Sequence, residues 1–227
     1  MLYLFFLLFV LIPVFIGFGE IFQKFFGRIF SGIASKLIAG IFSVSVIYTL
    51  LSFLFPLNMA VELSTLAAGI SAFFYFQSYR ECLTFFSKTK ISFFVILLVT
   101  VFFGSYYPFI LDHFGYYVPT VKWIAEFGLV RGISNLDLLL GQMSVWHILQ
   151  AGFSNFSDPF LRINVVVMIV WLIYIYEKKV WIHLAFFPLV YFFIQSPSPD
   201  LPAIALSLII LNEILRSNKN SALLKPE

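Results

Sequence analysis

Two aspartates, Asp112 and Asp200, stand in the most constrained polar stretches of an otherwise apolar chain of 227 residues. Asp112 opens "DHFGYYVPTVKWIAEFGLVRGISNL", a segment that concentrates His, Tyr, Lys, Trp, Glu and Arg. Asp200 emerges from "QSPSPDLPA", where Pro197, Pro199 and Pro202 restrict the backbone and fix where the side chain points. A carboxylate held rigidly at the edge of water can take the proton of an attacking hydroxyl or ligate a metal ion. Each position equally suits a solvated helix cap or turn residue. Lys122, Arg131 and Arg162 lie in the same part of the chain, and together they can hold a phosphate. Singly, each serves as a snorkelling anchor.

The elements that must position these residues are membrane helices. Hydrophobic residues make up 61% of the chain and charged residues 11%, against about 25% charged in ordinary soluble domains. Apolar runs recur at the length of roughly 18 to 20 residues that a helix needs to cross hydrocarbon. They place seven spans near 1–19, 37–57, 59–79, 91–110, 163–176, 180–196 and 201–215. Runs such as "ISFFVILLVTVFF" are apolar on every face, which excludes the alternating pattern of a β-barrel. The expected class is an all-α, polytopic membrane domain over residues 1–227, with a helical outer loop over about 111–162.

Charge sets the orientation. With the N-terminus outside, the inner side receives Lys24, Arg28, Lys36, Arg80, Lys88, Lys90, Lys178, Lys179, Arg216, Lys219 and Lys225. Only Lys122, Arg131 and Arg162 fall outside, an eleven-to-three bias that obeys the positive-inside rule. All four aspartates, Asp112, Asp137, Asp158 and Asp200, then fall on the outer side. The expected location is the bacterial inner membrane, with the C-terminus cytoplasmic. The N-terminal run has no basic residues before it and no small-residue cleavage site, so it reads as a retained span.

Local patterns add detail. "EIFQKFFGRIFSGIASK" reads as an interfacial helix on the inner leaflet. "FPLNMA" is a tight outer turn, and Ser64, Ala68 and Ala72 form a small-residue strip for helix packing. "VPTVKWIAEFG" reads as a short helix with Pro119 in its first turn and Gly128 as its stop. "LLLGQMSVWHILQAGF" reads as a second helix, interrupted by Gln142, His147 and Gln150. Tyr106, Tyr107, Tyr116, Tyr117 and Trp123 suit interfacial depth. Cys82 alone gives neither a disulfide nor a Cys metal site, and His183 reads as a packing residue. No Walker loop, dinucleotide fingerprint, HExxH or GxSxG is present, and no nucleic-acid partner is expected.

The outer segment, with "GQMSVWHILQAGF" and "SPSPDLP" after it, resembles bacterial multi-spanning proteins allied to the GT-C glycosyltransferases. The positions that carry the resemblance are Asp112, Tyr116, Trp123, Gly132, Asn135 and Leu136, and it covers roughly residues 105–205. It implies an enzyme that takes a sugar from a polyprenyl-phosphate carrier and passes it to an acceptor outside the membrane. Asp112 and Asp200 would then be catalytic, and Tyr116, Tyr117, Lys122, Trp123, Arg131, Asn135 and His147 would meet the substrate. A divalent cation is a candidate cofactor. Two departures stand out: the chain has fewer spans than such enzymes, and it carries Gln142 and Tyr117 where relatives show Asn or His. A competing reading is a shortened, non-catalytic subunit that binds membrane lipid or a membrane-protein partner. A transporter would need ionisable groups at mid-membrane, and the main candidate, Glu62, is expected at the interface.

Overall fold

The computed structural model describes residues 1–135 and 138–223, with side chains up to residue 217. Leu136, Asp137 and Lys225, and the side chain of Lys219, lie outside the described residues. Every regular element among the described residues is helical. The frame is a trio of helices: α1 (Leu2–Phe26), α2 (Ile33–Ser52) and α3 (Met59–Tyr75). They pack backbone against backbone. A Cβ added to Gly40 would collide with the carbonyl of Phe15, one on Gly19 with that of Lys36, and one on Gly17 with that of Gly69. Small residues thus let these axes approach closely, as in membrane helix pairs. Of the expected strip only Ala72 is buried; Ser64 and Ala68 are exposed, while Thr65, Leu66 and Gly69 face inward.

Glycine also decides where the first helix ends. α1 runs on to Phe26, and Gly27 and Gly32, both with positive φ, bracket a non-helical break before α2. The expected interfacial helix over 20–36 is therefore absent, because two glycines interrupt it and its halves extend the flanking helices. A bent helix takes its place further on. Gln77, left-handed at φ 55°, turns the chain by 74° from α3 into the amphipathic α4 (Ser78–Lys88).

The remaining helices build around a centre. α5 (Ile91–Gly104) leads into the loop region that contains α6 (Val118–Phe127) and α7 (Val145–Phe153). α8 (Asn164–Lys178) is buried at every position from Asn164 to Ile175. Short helical turns, including α9 (Phe187–Val190), then lead to α10 (Asp200–Leu223). Contacts define two ends. At the loop end, Tyr3 of α1 meets Asp158 and Asn164 meets Ser198. At the basic end, Glu20 of α1 meets Lys36, Ser92 meets Tyr176, and Arg216 meets the carbonyl of Lys178. Tyr3 and Glu20 are about 25 Å apart along α1 at 1.5 Å per residue.

Among the described residues two helices, α1 and α2, are long and apolar enough to cross a membrane, or three if α3 and α4 count as one bent span. That is fewer than the seven expected. α5 and α8 have 14 and 15 residues, and the run over 180–196 is broken into short turns by Pro188 and the buried loop that follows. Apolar composition does not by itself give a long continuous helix: α8 is apolar because protein encloses it, whereas α5 and the 180–196 segment keep exposed apolar faces.

Gly40→Ala should lower stability by about 1 to 3 kcal/mol or more, because the added methyl has only backbone to displace. Thermal unfolding of the detergent-solubilised protein, followed by helical circular dichroism, checks this. Gly115→Ala, with no atom within 4 Å of the new Cβ, should melt like the parent. Equal melting of all three proteins would refute the close approach.

Candidate functional site

At the loop end the backbone leaves helical geometry, and side chains take over the pairing of its polar groups. α5 stops at Gly104, and Asp112 follows eight residues later, at the start of a π-helical turn over His113–Tyr117 that merges into α6. It therefore does not sit directly on a span end as expected; Pro108 and the non-helical stretch before it intervene. α6 begins with Pro119 in its first turn and ends at Gly128 with φ 72°, as its sequence predicts. Leu129 N then donates to Ser52 O at 2.7 Å, which ties α6 to the end of α2. The helix expected over 138–153 is shorter: Ser144 caps α7, preceded by a 3-10 turn at Leu138–Gly141.

Glu62 closes the next junction. Its carboxylate accepts the backbone N–H groups of Asn155 and Phe156 at 2.9 Å each and of Ser157 at 2.6 Å. It is fully buried, because the 155–157 loop folds over it. The proline-rich segment before α10 is buried too. Asn164 donates to the carbonyls of Ser196 at 2.6 Å and Ser198 at 2.9 Å, Gln150 donates to that of Pro197, and Arg162 donates to that of Gln195.

Between α6 and this junction lies a cavity of about 600 Å³, walled by Tyr107, His113, Phe114, Lys122, Glu126 and Arg162, among others. Lys122 comes from α6 and Arg162 from the turn before α8, so the fold brings two of the three expected outer cations to one space. No carboxylate lies within ion-pair distance of either among the described residues. His113 is buried and its Nδ1 has no partner. Burial, with help from the Arg162 charge, pushes its imidazole down to about 4, so it is neutral at pH 7. The combination of two cations without an ion-paired carboxylate, a neutral imidazole and aromatic walls suits a phosphate carried on an apolar molecule.

Behind Arg162 sits Asp158, wholly buried. Its Oδ1 accepts the Tyr3 hydroxyl at 2.6 Å and the backbone N–H of Arg162 at 2.7 Å, while Oδ2 has no partner. Burial pushes this carboxyl up to about 6, although Arg162 and the hydrogen bonds oppose the shift. Further unpaired buried atoms gather nearby, on Ser157, Gln195, Ser196 and Gln150. Buried polar groups are normally paired, so this concentration marks unused hydrogen-bonding capacity.

The other expected residues fall in three groups. Asp112 and Asp200 are both exposed, and both act on Tyr116: burial first, then Tyr117 and these two carboxylates, raise its hydroxyl pKa. Asp200 also accepts from Ser198 Oγ at 2.6 Å. Tyr117 is buried, packed on Tyr116 and on the His147 ring at 5.2 Å. His147 is buried and spends its Nδ1 closing the α7 cap, a structural use where a substrate contact was expected. Trp123 is half-buried against Phe127, whereas Arg131 and Asn135 are exposed and away from the cavity lining. Among the described residues no group of three His, Cys, Asp or Glu is placed to hold a metal ion, so no step is assigned to a cation. His113, Asp158 and Tyr3 were missed: only the shared side of the aspartates hinted at Asp158. His183, as expected, is a packing residue, accepting from Trp171 Nε1 at 3.0 Å.

A family model described as "Domain of unknown function (DUF8201)" matches residues 1–226. No curated protein and no solved structure matches the chain.

Two titrations oppose each other at this site. Asp158 prefers its neutral form when folded, so between its ordinary 3.8 and about 6 the unfolded chain loses the proton first and stability falls as pH rises. His113 and His147, pushed from 6.5 to about 4, resist protonation when folded, so they cost stability as pH falls through that interval. Melting temperatures from pH 4 to 7 separate the two. Relative to the parent, Asp158→Asn should gain as pH rises and His113→Gln should gain as pH falls. A pH-independent difference for Asp158→Asn would mean that its carboxyl titrates normally.

Proposed function

We propose, for a chain that belongs to the DUF8201 family, a multi-pass membrane protein that binds a lipid-linked sugar phosphate at its loop end and transfers the sugar, as the GT-C glycosyltransferases it resembles do. The observation that carries this reading is the meeting of Lys122 and Arg162 in one cavity beside the Asp112 turn, although 40 residues separate them in sequence.

The membrane topology is part of the proposal. Its seven proposed passes are α1, α2, α3, α5, α8, the broken segment over 180–196 and α10. We place all seven passes in the bacterial inner membrane. Short helices suffice where neighbours enclose them, and non-helical backbone is tolerated at depth when buried in protein. Lys24, Lys36, Arg80 and Lys178 all make their contacts at the basic end, away from Lys122 and Arg162. The basic end then faces the cytoplasm and the loop end faces out.

In the proposed reaction the acceptor hydroxyl attacks the anomeric carbon. Its proton passes to Asp112, which is exposed and one residue from the cavity wall. The bond from that carbon to the phosphate oxygen breaks, and polyprenyl phosphate leaves with an added negative charge. Lys122 and Arg162 stabilise that charge, an effect largest in the transition state. Asp200, facing Tyr116 beside Asp112, orients the acceptor, with Tyr116, Tyr117, Trp123, Arg131, Asn135 and His147 as lesser candidates around the same end.

Sugar released from a radiolabelled polyprenyl-phosphate donor by the purified protein tests this. Asp112→Asn should lower transfer by about 10² to 10⁴-fold with unchanged protein level. Lys122→Gln should weaken donor binding by about tenfold or more. Full activity of Asp112→Asn would remove it from the mechanism, and failure of every donor would remove the enzyme reading.

A non-catalytic subunit is the second reading. It is favoured by an almost wholly apolar cavity of about 630 Å³ between Phe103, Tyr106, Tyr191 and Phe192, suited to a neighbour's side chains. A stoichiometric membrane-protein partner retained through purification in mild detergent would support it; a solitary, sugar-transferring chain would oppose it.

A further inference from the structure

A second polar hollow lies at the opposite end of α1 from the candidate site. It is a cavity of about 720 Å³ between α4, the α4–α5 hinge, the start of α2 and the end of α8. Four cations line it: Arg80, Lys88, Lys90 and Lys179. All four are exposed, and none has a carboxylate within ion-pair distance among the described residues. Arg80 lies over the Tyr79 ring and makes a long contact to its hydroxyl, 3.4 Å away.

The carboxylates that share the cavity are already engaged. Glu81 accepts from Lys36 at 2.6 Å, so its charge belongs to the Glu20–Lys36–Glu81 cluster. Glu177 accepts the N–H groups of Ile33 at 2.6 Å and Ala34 at 3.1 Å, which caps α2. The cations therefore face a space with no counter-charge committed to them. Four like charges around one hollow repel each other, and an anion that enters relieves that repulsion.

The surroundings point to where that anion comes from. Trp181 and Tyr176, residues suited to interfacial depth, form one wall. Beside the cavity, Leu83, Ile91 and Ile182 are exposed by 66%, 77% and 71%, on α4, at the start of α5 and in the turn after α8. A charged hollow rimmed by exposed apolar side chains has the form of a headgroup site with acyl chains alongside. We propose that this cavity binds the phosphate headgroup of an anionic phospholipid of the cytoplasmic leaflet. The proposal rests on the membrane topology given above and is independent of sugar transfer.

Binding measured by native mass spectrometry of the detergent-solubilised protein tests it, with phosphatidylglycerol as probe and phosphatidylcholine as comparison. The parent should retain phosphatidylglycerol in preference to phosphatidylcholine. The Lys88→Gln/Lys90→Gln/Lys179→Gln variant should bind it roughly a hundredfold more weakly, since each basic residue near an anionic surface contributes about fivefold. The same three positions changed to Arg should keep binding, which separates lost charge from lost fold. Equal binding of the two lipids, or undiminished binding by the Gln variant, would overturn the site. Displacement of the lipid by millimolar inorganic phosphate would overturn the lipid as its source. None of these outcomes depends on whether sugar transfer is found.

Discussion

Backbone N–H and C=O groups in apolar surroundings must be paired inside the protein, and this chain is too apolar to rely on water. Helices meet the requirement along most of its length. Where the chain leaves the helix, a few polar side chains meet it instead. Glu62 gathers three N–H groups of the loop after α7, Asn164 and Gln150 take the carbonyls of the proline-rich segment, and Glu177 caps α2. Each is buried or half-buried and spans from one helix to a distant part of the sequence. Replacing one would strand several backbone groups together, at about 1 to 3 kcal/mol for each buried group left unpaired. These residues hold the non-helical segments in place, and the cavity at the loop end exists because those segments are held.

The same pairing explains why the reactive groups lie where they do. Arg162 serves two purposes: its backbone N–H and charge face Asp158, and its guanidinium holds the carbonyl of Gln195 while lining the cavity. Tyr3 reaches from the first turn of α1 to the same carboxylate. The cavity floor is thus fastened to the bundle through a buried acid. Electrostatics at the two ends differ accordingly. At the loop end cations are few and mixed with aromatics, and at the basic end they crowd one hollow.

Much of this was legible in the sequence. Pro119 and Gly128 bounded α6 correctly because both act through local backbone geometry. Lys122 and Arg162, grouped by their place in the outer segment of the sequence, line one cavity. What escaped was tertiary. Periodicity does not separate a lipid-facing run from one enclosed by protein: the span expected over 163–176 coincides with the enclosed α8, while that expected over 180–196 is a series of short turns. Gly27 and Gly32 are ordinary within an apolar pattern until their φ is known. Glu62 and Asp158 looked like boundary residues, since a carboxylate in sequence carries no sign of the backbone that will fold over it. One ring nitrogen of His147, Nδ1, closes its own helix cap, which no sequence pattern announced, while Nε2 is left buried and unpaired.

The enclosure of α8 has a consequence for how the chain is made. At 15 residues it spans about 22 Å, short for a bilayer, and its first residue, Asn164, is polar and buried. Such a segment has a weak claim on the membrane by itself during synthesis. The helices that surround it, α1, α2 and α5, all precede it in the chain, while α10 follows. On the membrane reading, the early helices form a cradle first, and α8 enters a site already lined by protein. The order of the genes' codons is then also an order of insertion, and the centre of the finished bundle is among the last parts to be admitted.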